Sequence, residues 1–156
     1  EFGEFHAEIR AATATNPDSD LPPVARNAGI LMALGDVNGS IERYQALLQQ
    51  MPRDSELHQS LGHAYKTNGE SAKAIESYRR AVEVRPDFGE AYWSLANLKT
   101  YRFTDAELER MRHYEAQPYL QQADRYHLCF ALGKALEDRG DYAESFTYYD
   151  RGLISR

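Results

Sequence analysis

Residues 55–88, SELHQSLGHAYKTNGESAKAIESYRRAVEVRPDF, decide how the whole chain is read. Leu57, Leu61, Ala64 and Tyr65 recur at spacings of three and four, the period of one helix face. Asn68-Gly69 then supplies a signal that ends a helix. Ala74, Ile75, Tyr78, Ala81 and Val82 repeat the amphipathic pattern, and Arg85-Pro86 stops it. No strand-like alternation interrupts either run, so the segment is read as a helix-turn-helix hairpin.

The same residue types return at a fixed distance. Pro52 and Pro86 are 34 residues apart, as are Gly35 and Gly69, and Tyr44 and Tyr78. Leu61-Gly62 and Gly69 reappear as Leu132-Gly133 and Gly140, each 71 residues on, two such periods plus three. Several residue types holding one spacing identify a repeat array. Candidate helix starts agree with it. Asp54 and Asp87 each follow a proline closely and precede an apolar-periodic run. Thr104 with Glu107 fits a capping box, and Asp141 with Glu144 is a close variant. Pro22 and Pro23 sit where a first helical turn tolerates proline.

Residues 55–88 resemble a tetratricopeptide repeat, a 34-residue helix pair. The family's signature positions carry Leu61-Gly62, Tyr65, Ala74, Tyr78, Ala81 and Pro86, and only His58 departs. The resemblance implies an all-α solenoid, a right-handed superhelix of antiparallel helix pairs with a concave groove. Small residues at three positions would let neighbouring helices approach, and stacked neighbours would complete each core. The expected organisation is one continuous domain: residues 1–20 as the second helix of a preceding partial repeat, then repeats at 21–54, 55–88, 89–125 and 126–156. In the first, Asn27 replaces the family's leucine; in the third, Leu108 stands where a small residue is expected. Pro118 to Leu132 is five residues longer than the matching distance elsewhere, so Tyr119–Arg125 is a lengthened helix start or an extra turn. The last helix carries Tyr142, Phe146, Tyr149, Leu153 and Ile154 with no cap after it. That reads as a fragment, or as a helix covered by another surface such as a second copy in a homodimer.

Composition narrows the function classes. The 156 residues include 18 Lys+Arg and 24 Asp+Glu, a net charge of −6. This balance argues against nucleic acid, which wants a basic face. Apolar runs are too short to insert in a membrane, and EFGEFHAEIR lacks the basic start and apolar core of a signal peptide. A cytoplasmic location is therefore expected. One cysteine excludes an internal disulfide framework and a CxxC zinc site. Cys129 is read as a small buried hydrophobe. The five histidines show no metal spacing, and His58 is expected in the core. No phosphate loop, dinucleotide fingerprint, HExxH or GxSxG occurs. No catalytic residue, metal or cofactor is expected. Asn38-Gly39-Ser40 matches a glycosylation sequon and is read as a turn.

What the resemblance implies is a protein or peptide partner held on the concave face by the first helix of each pair. The positions that face it in the family map here to Gln59, His63 and Lys66 in the second repeat. They map to Trp93, Asn97 and Tyr101 in the third, and to Phe130 and Lys134 in the fourth. Trp93 is the expected hot spot, because Tyr92 already fills the family's core aromatic position. Asn97 is the expected contact to a peptide backbone. A subclass that grips acidic chaperone tails needs Lys, Asn and Arg at set positions. Here those positions hold Ala25, Gly29, Ser60, Glu90 and Ser94, or one repeat on Gln59, His63, Ser94, His127 and Ala131. Neither set makes that clamp.

Residues 88–152, with EAYWSLANLKTYRFTDAELERM and YHLCFALGKALEDRGDYAESFTYYDRG, also resemble the repeat region of bacterial proteins that carry a sulfotransferase domain behind it. That resemblance implies a substrate-recruiting role, with the transfer chemistry in the downstream domain.

Overall fold

A computed structural model describes residues 23–154. The expected helix over residues 1–20 lies outside them. Eight helices are present among the described residues, and no strand. They are α1 (Pro23–Ala33), α2 (Val37–Gln50), α3 (Ser55–Thr67), α4 (Ser71–Val84), α5 (Gly89–Ala96), α6 (Asp105–Glu115), α7 (Gln122–Asp138) and α8 (Tyr142–Ile154). The described residues divide into two compact units, with the boundary between Ala74 and Ile75, inside α4.

Three of the interhelix turns share one geometry. Gly35, Gly69 and Gly140 all have positive φ, at 86°, 78° and 82°. Each follows a helix whose last carbonyls are capped by the turn. Asp36, Glu70 and Asp141 N–H groups donate to Leu31, Tyr65 and Leu136 carbonyls at 2.8, 2.9 and 2.9 Å. Only glycine takes that conformation without a side-chain penalty.

In the first unit, α1 and α2 pack together, and α2 packs on α3. Asp36 caps α2 through the Gly39 N–H, and Asp54 caps α3 through the Leu57 N–H, both at 3.0 Å. The sequon at Asn38 thus begins a helix, where a turn was expected. The core holds Ala28, Leu31, Ile41, Tyr44, Leu47, Leu57, Leu61 and Ala64. His58 is buried as expected, its Nε2 2.8 Å from the Pro52 carbonyl.

In the second unit, α7 packs on α5, α6 and α8. Tyr78, Tyr92, Leu95, Met111, Leu128, Leu132 and Leu136 are fully buried. The Thr104 capping box forms with both of its hydrogen bonds, at 3.1 and 3.0 Å. One other expected cap differs, while α8 begins directly after Asp141 as expected. Asp87 does not cap α5; it pairs with Arg85 at 3.2 Å, and Phe88 sits at the cap position without a side-chain bond. The Gly89 N–H is satisfied instead by Asp124 of α7, at 3.2 Å. Glu144 turns to Arg112 of α6, at 2.9 Å.

Asp124 belongs to the stretch that breaks the period. Residues 122–125 add a turn to the start of α7, so the lengthened helix start is the alternative that forms. This turn presses so closely on α5 that a Cβ on Gly89 would collide with the Asp124 backbone. Arg85 closes the contact on the Asp124 carboxylate at 2.5 Å. Burial pushes the Asp124 carboxyl upward, and the Arg85 charge and the Gly89 N–H oppose that shift. The extra residues therefore supply a cap from a distant helix.

Candidate functional site

The expected groove residues fall on both units. In the first unit, α3 carries Gln59, His63 and Lys66. His63 and Lys66 are exposed. Gln59 is not: it is buried, and its Nε2 has no hydrogen-bond partner. The expectation that it lines an open surface is corrected. Its amide is covered by packing that repeat position alone does not reveal.

The second unit brings two expected residues into contact. Trp93 of α5 and Phe130 of α7 are both half-buried, with ring centroids 6.0 Å apart in an edge-to-face arrangement. Phe130 also meets Tyr126 at 4.8 Å and Tyr149 at 5.7 Å. Four rings from three helices thus form one row centred on Phe130. Glycine makes the row possible. A Cβ at Gly152 would lie 2.8 Å from the Phe130 ring, and a Cβ at Gly133 would lie 2.7 Å from the Tyr149 ring. Both rings occupy space that any side chain would take, so they are held against the α7–α8 backbone.

Tyr126 and Tyr149 were missed in the sequence. Tyr149 was read with the uncapped face of the last helix, and Tyr126 lay at the edge of the irregular stretch. The available signal was the spacing of Tyr126 and Phe130, four residues apart on one helix face.

The remaining expected residues are placed otherwise. α5 ends at Ala96, so Asn97 caps it, exposed, with its N–H donating to the Trp93 carbonyl at 3.0 Å. Tyr101 lies beyond the helix, and its hydroxyl donates to buried Glu107 at 2.5 Å. Burial first, then Glu107, pushes the Tyr101 phenol upward. Its polar end is engaged inward, which corrects its assignment to a helix face lining the groove. Arg139 pins this connection by donating to the Phe103 carbonyl at 3.0 Å. Lys134 pairs with Asp138 at 2.8 Å, and Asp138 also faces Arg102 at 3.6 Å.

Cys129 is fully buried, and burial followed by the nearby Glu115 carboxylate pushes its thiol up to about 12. Such a thiol stays protonated and is not a nucleophile. Among the described residues no group of His, Cys, Asp and Glu could hold a metal ion. No helix among them is long and apolar enough to cross a membrane.

Family profiles described as tetratricopeptide repeat match residues 31–98 and 126–153. The chain carries tetratricopeptide repeats. Relatives include a Protein CTR9 homolog of Arabidopsis thaliana, 26% identical over 110 residues, covering 70% of this chain and 10% of that protein. Tetratricopeptide repeat protein 37 of Xenopus laevis is 28% identical over 148 residues, covering 88% of this chain and 9% of that protein. A peroxisomal targeting signal receptor of Eremothecium gossypii is 33% identical over 99 residues, covering 60% of this chain and 17% of the receptor. The chain therefore spans about a tenth of the length of the first two relatives. Among solved structures, the crystal structure of MamA matches with a TM-score of 0.62 at 18% identity, covering 96% of this chain and 84% of MamA. At that identity the likeness concerns the fold, an all-α repeat of tetratricopeptide helix pairs.

Proposed function

We propose that this chain is a protein-interaction scaffold that holds a peptide or protein partner on its tetratricopeptide-repeat surface, with Trp93 and Phe130 as the anchor. The observation that carries this reading is the half-buried aromatic row. Large rings held in place by glycine contacts offer apolar area at little entropic cost, which is how anchors concentrate binding energy. The relatives support it in kind: one is named a receptor for a targeting signal. Asn97 and Lys134 supply the proposed polar surroundings of that anchor within the second unit, and His63 and Lys66 are proposed as partner contacts of the first unit by itself. No catalytic role is assigned to the chain, and a cytoplasmic location belongs to the same proposal. Binding of a partner recovered by pull-down should fall on Trp93→Ala while helicity is retained. Unchanged binding, or a collapse of helicity and melting temperature, rejects Trp93 as the anchor.

Two finer readings remain proposals. Tyr142, Phe146, Leu153 and Ile154 are 60–77% exposed on α8, an apolar stripe that a second copy could cover. Sedimentation of wild type and Phe146→Glu tests it, and a monomer at all concentrations rejects it. Recruitment of substrate for a sulfotransferase-like domain rests on the resemblance of residues 88–152 alone. The coding sequence after Arg156 tests it, and lack of a sulfonucleotide-binding domain there rejects it.

A further inference from the structure

We infer that the aromatic row receives a basic side chain, and that the partner segment bound there is one presenting arginine or lysine. The inference rests on the binding reading above and names the chemistry of that partner.

The row is polarised. Asp124 bonds the Gly89 N–H and Phe130 meets Trp93, so the starts of α5 and α7 lie together, whereas the end of α7 faces the connection after α5, where Arg102 meets Asp138. At the end side, charges of both signs are present: Lys134 and Arg102 share Asp138, Lys99 is exposed, and Glu137 accepts the Tyr149 hydroxyl at 2.9 Å. At the start side, beside Trp93, Tyr126 and Phe130, the charges are differently arranged. Arg85 is held by Asp87 and Asp124. Arg125 donates to the Glu115 and Gln117 carbonyls at 2.5 and 2.6 Å. His127 has its Nδ1 2.8 Å from the Ala123 carbonyl. Glu90 remains, exposed, three residues before Trp93 on the same helix face, and its carboxylate makes no ion pair or hydrogen bond among the described residues.

An indole, a phenol and a phenyl ring beside an unneutralised carboxylate form a cation-recognising surface. The negative ring faces attract a guanidinium or ammonium, and Glu90 supplies the countercharge. An acidic segment would meet Glu90 with repulsion. A purely apolar one would leave it without a partner at the rim.

Random decapeptides displayed for selection against the whole 156-residue chain test this. The chain has a single tryptophan, so its emission reports on this row alone. Selected peptides that shift Trp93 emission and lose binding on Trp93→Ala should be enriched in arginine or lysine. Their affinity should fall about two- to fivefold on Glu90→Gln, the range of an exposed ion pair, and should weaken with added salt. Trp93-dependent peptides with no basic excess, or indifferent to Glu90→Gln, overturn the inference and leave the binding surface standing. Peptides that bind equally well to Trp93→Ala, or no peptides at all, overturn the surface and the inference together.

Discussion

Helix α3 in the first unit and helix α7 in the second carry the same framework and different chemistry. Leu61-Gly62 answers Leu132-Gly133, and the turn glycines Gly69 and Gly140 adopt the same backbone at φ 78° and 82°. In the same register, Gln59 answers Phe130, and His63 answers Lys134. One position is a buried amide with an unpartnered nitrogen, and the other is the centre of an aromatic row. The residues that let helices pack are constrained by backbone distance, whereas those between them are free to vary with what they contact.

The framework itself shows a further equivalence across the two units. Ser40 of α2 donates to the Ala28 carbonyl at 2.7 Å, and Ser145 of α8 donates to the Gly133 carbonyl at 2.6 Å. The spacing between partners is twelve residues in both. A position expected to be small for steric reasons thus also carries a hydrogen bond between the helices of a pair.

The comparison can be broken most severely at Gly133. Gly133→Leu places a side chain where the Tyr149 ring lies 2.7 Å away, and overpacking of that kind costs about 1–3 kcal/mol. A thermal melt should show a large drop in midpoint, and an unchanged midpoint would refute the helix packing described for the second unit.

A smaller effect is expected at Tyr92. Burial pushes the Tyr78 and Tyr92 phenols up to about 12. An unfolded chain ionises its phenols near pH 10, so the folded state holds these protons to higher pH than the unfolded state does. Stability is therefore retained below about pH 10 and lost as pH rises toward 12. The Tyr92 hydroxyl makes no hydrogen bond of good geometry, and nearby Arg110, through its charge and a loose contact with that hydroxyl, only partly offsets the burial. Tyr92→Phe should stabilise the fold by about 1 kcal/mol and raise the alkaline unfolding midpoint. Chemical denaturation at pH 7 and a base titration check both.

Ser145→Ala and Ser40→Ala should each cost about 1 kcal/mol, the usual net worth of one hydrogen bond. Equal losses in urea titrations would sharpen the equivalence of the two pairs, and a loss confined to one would break it. The smallest change is expected at Gly29 of α1. Its nearest neighbour to an added Cβ is the Tyr44 hydroxyl at 3.9 Å, an ordinary contact. Gly29→Ala should therefore gain about 0.5–1 kcal/mol from helix propensity, opposite in sign to Gly133→Leu.

Much of the architecture was legible in the residues. Leu57, Leu61, Tyr65 and Tyr78 sit at helical spacing, and Asn68-Gly69 and Arg85-Pro86 punctuate it. These are local signals, because a positive-φ turn or a proline stop depends on a few adjacent residues. The third pair was less legible. α5 stops at Ala96 because the chain then tucks Leu98 and Phe103 into the core and caps the start of α6 with Thr104. Nothing between Asn97 and Thr104 marks that choice, so Asn97 and Tyr101 were expected on a helix face they do not occupy.

The sequence alone determined that helices pair, where glycine turns them, and that Trp93 and Phe130 belong to one register. It did so because helix period and turn chemistry are properties of neighbouring residues. Only the tertiary structure decided that Gln59 is covered, that Tyr101 turns to Glu107, and that Asp124 caps a helix 35 residues earlier. It alone brought Tyr126 and Tyr149 to Phe130. Those outcomes depend on which side chains meet across the fold, as where Tyr149 and Phe130 fill the space beside Gly133 and Gly152, a proximity that no local pattern encodes.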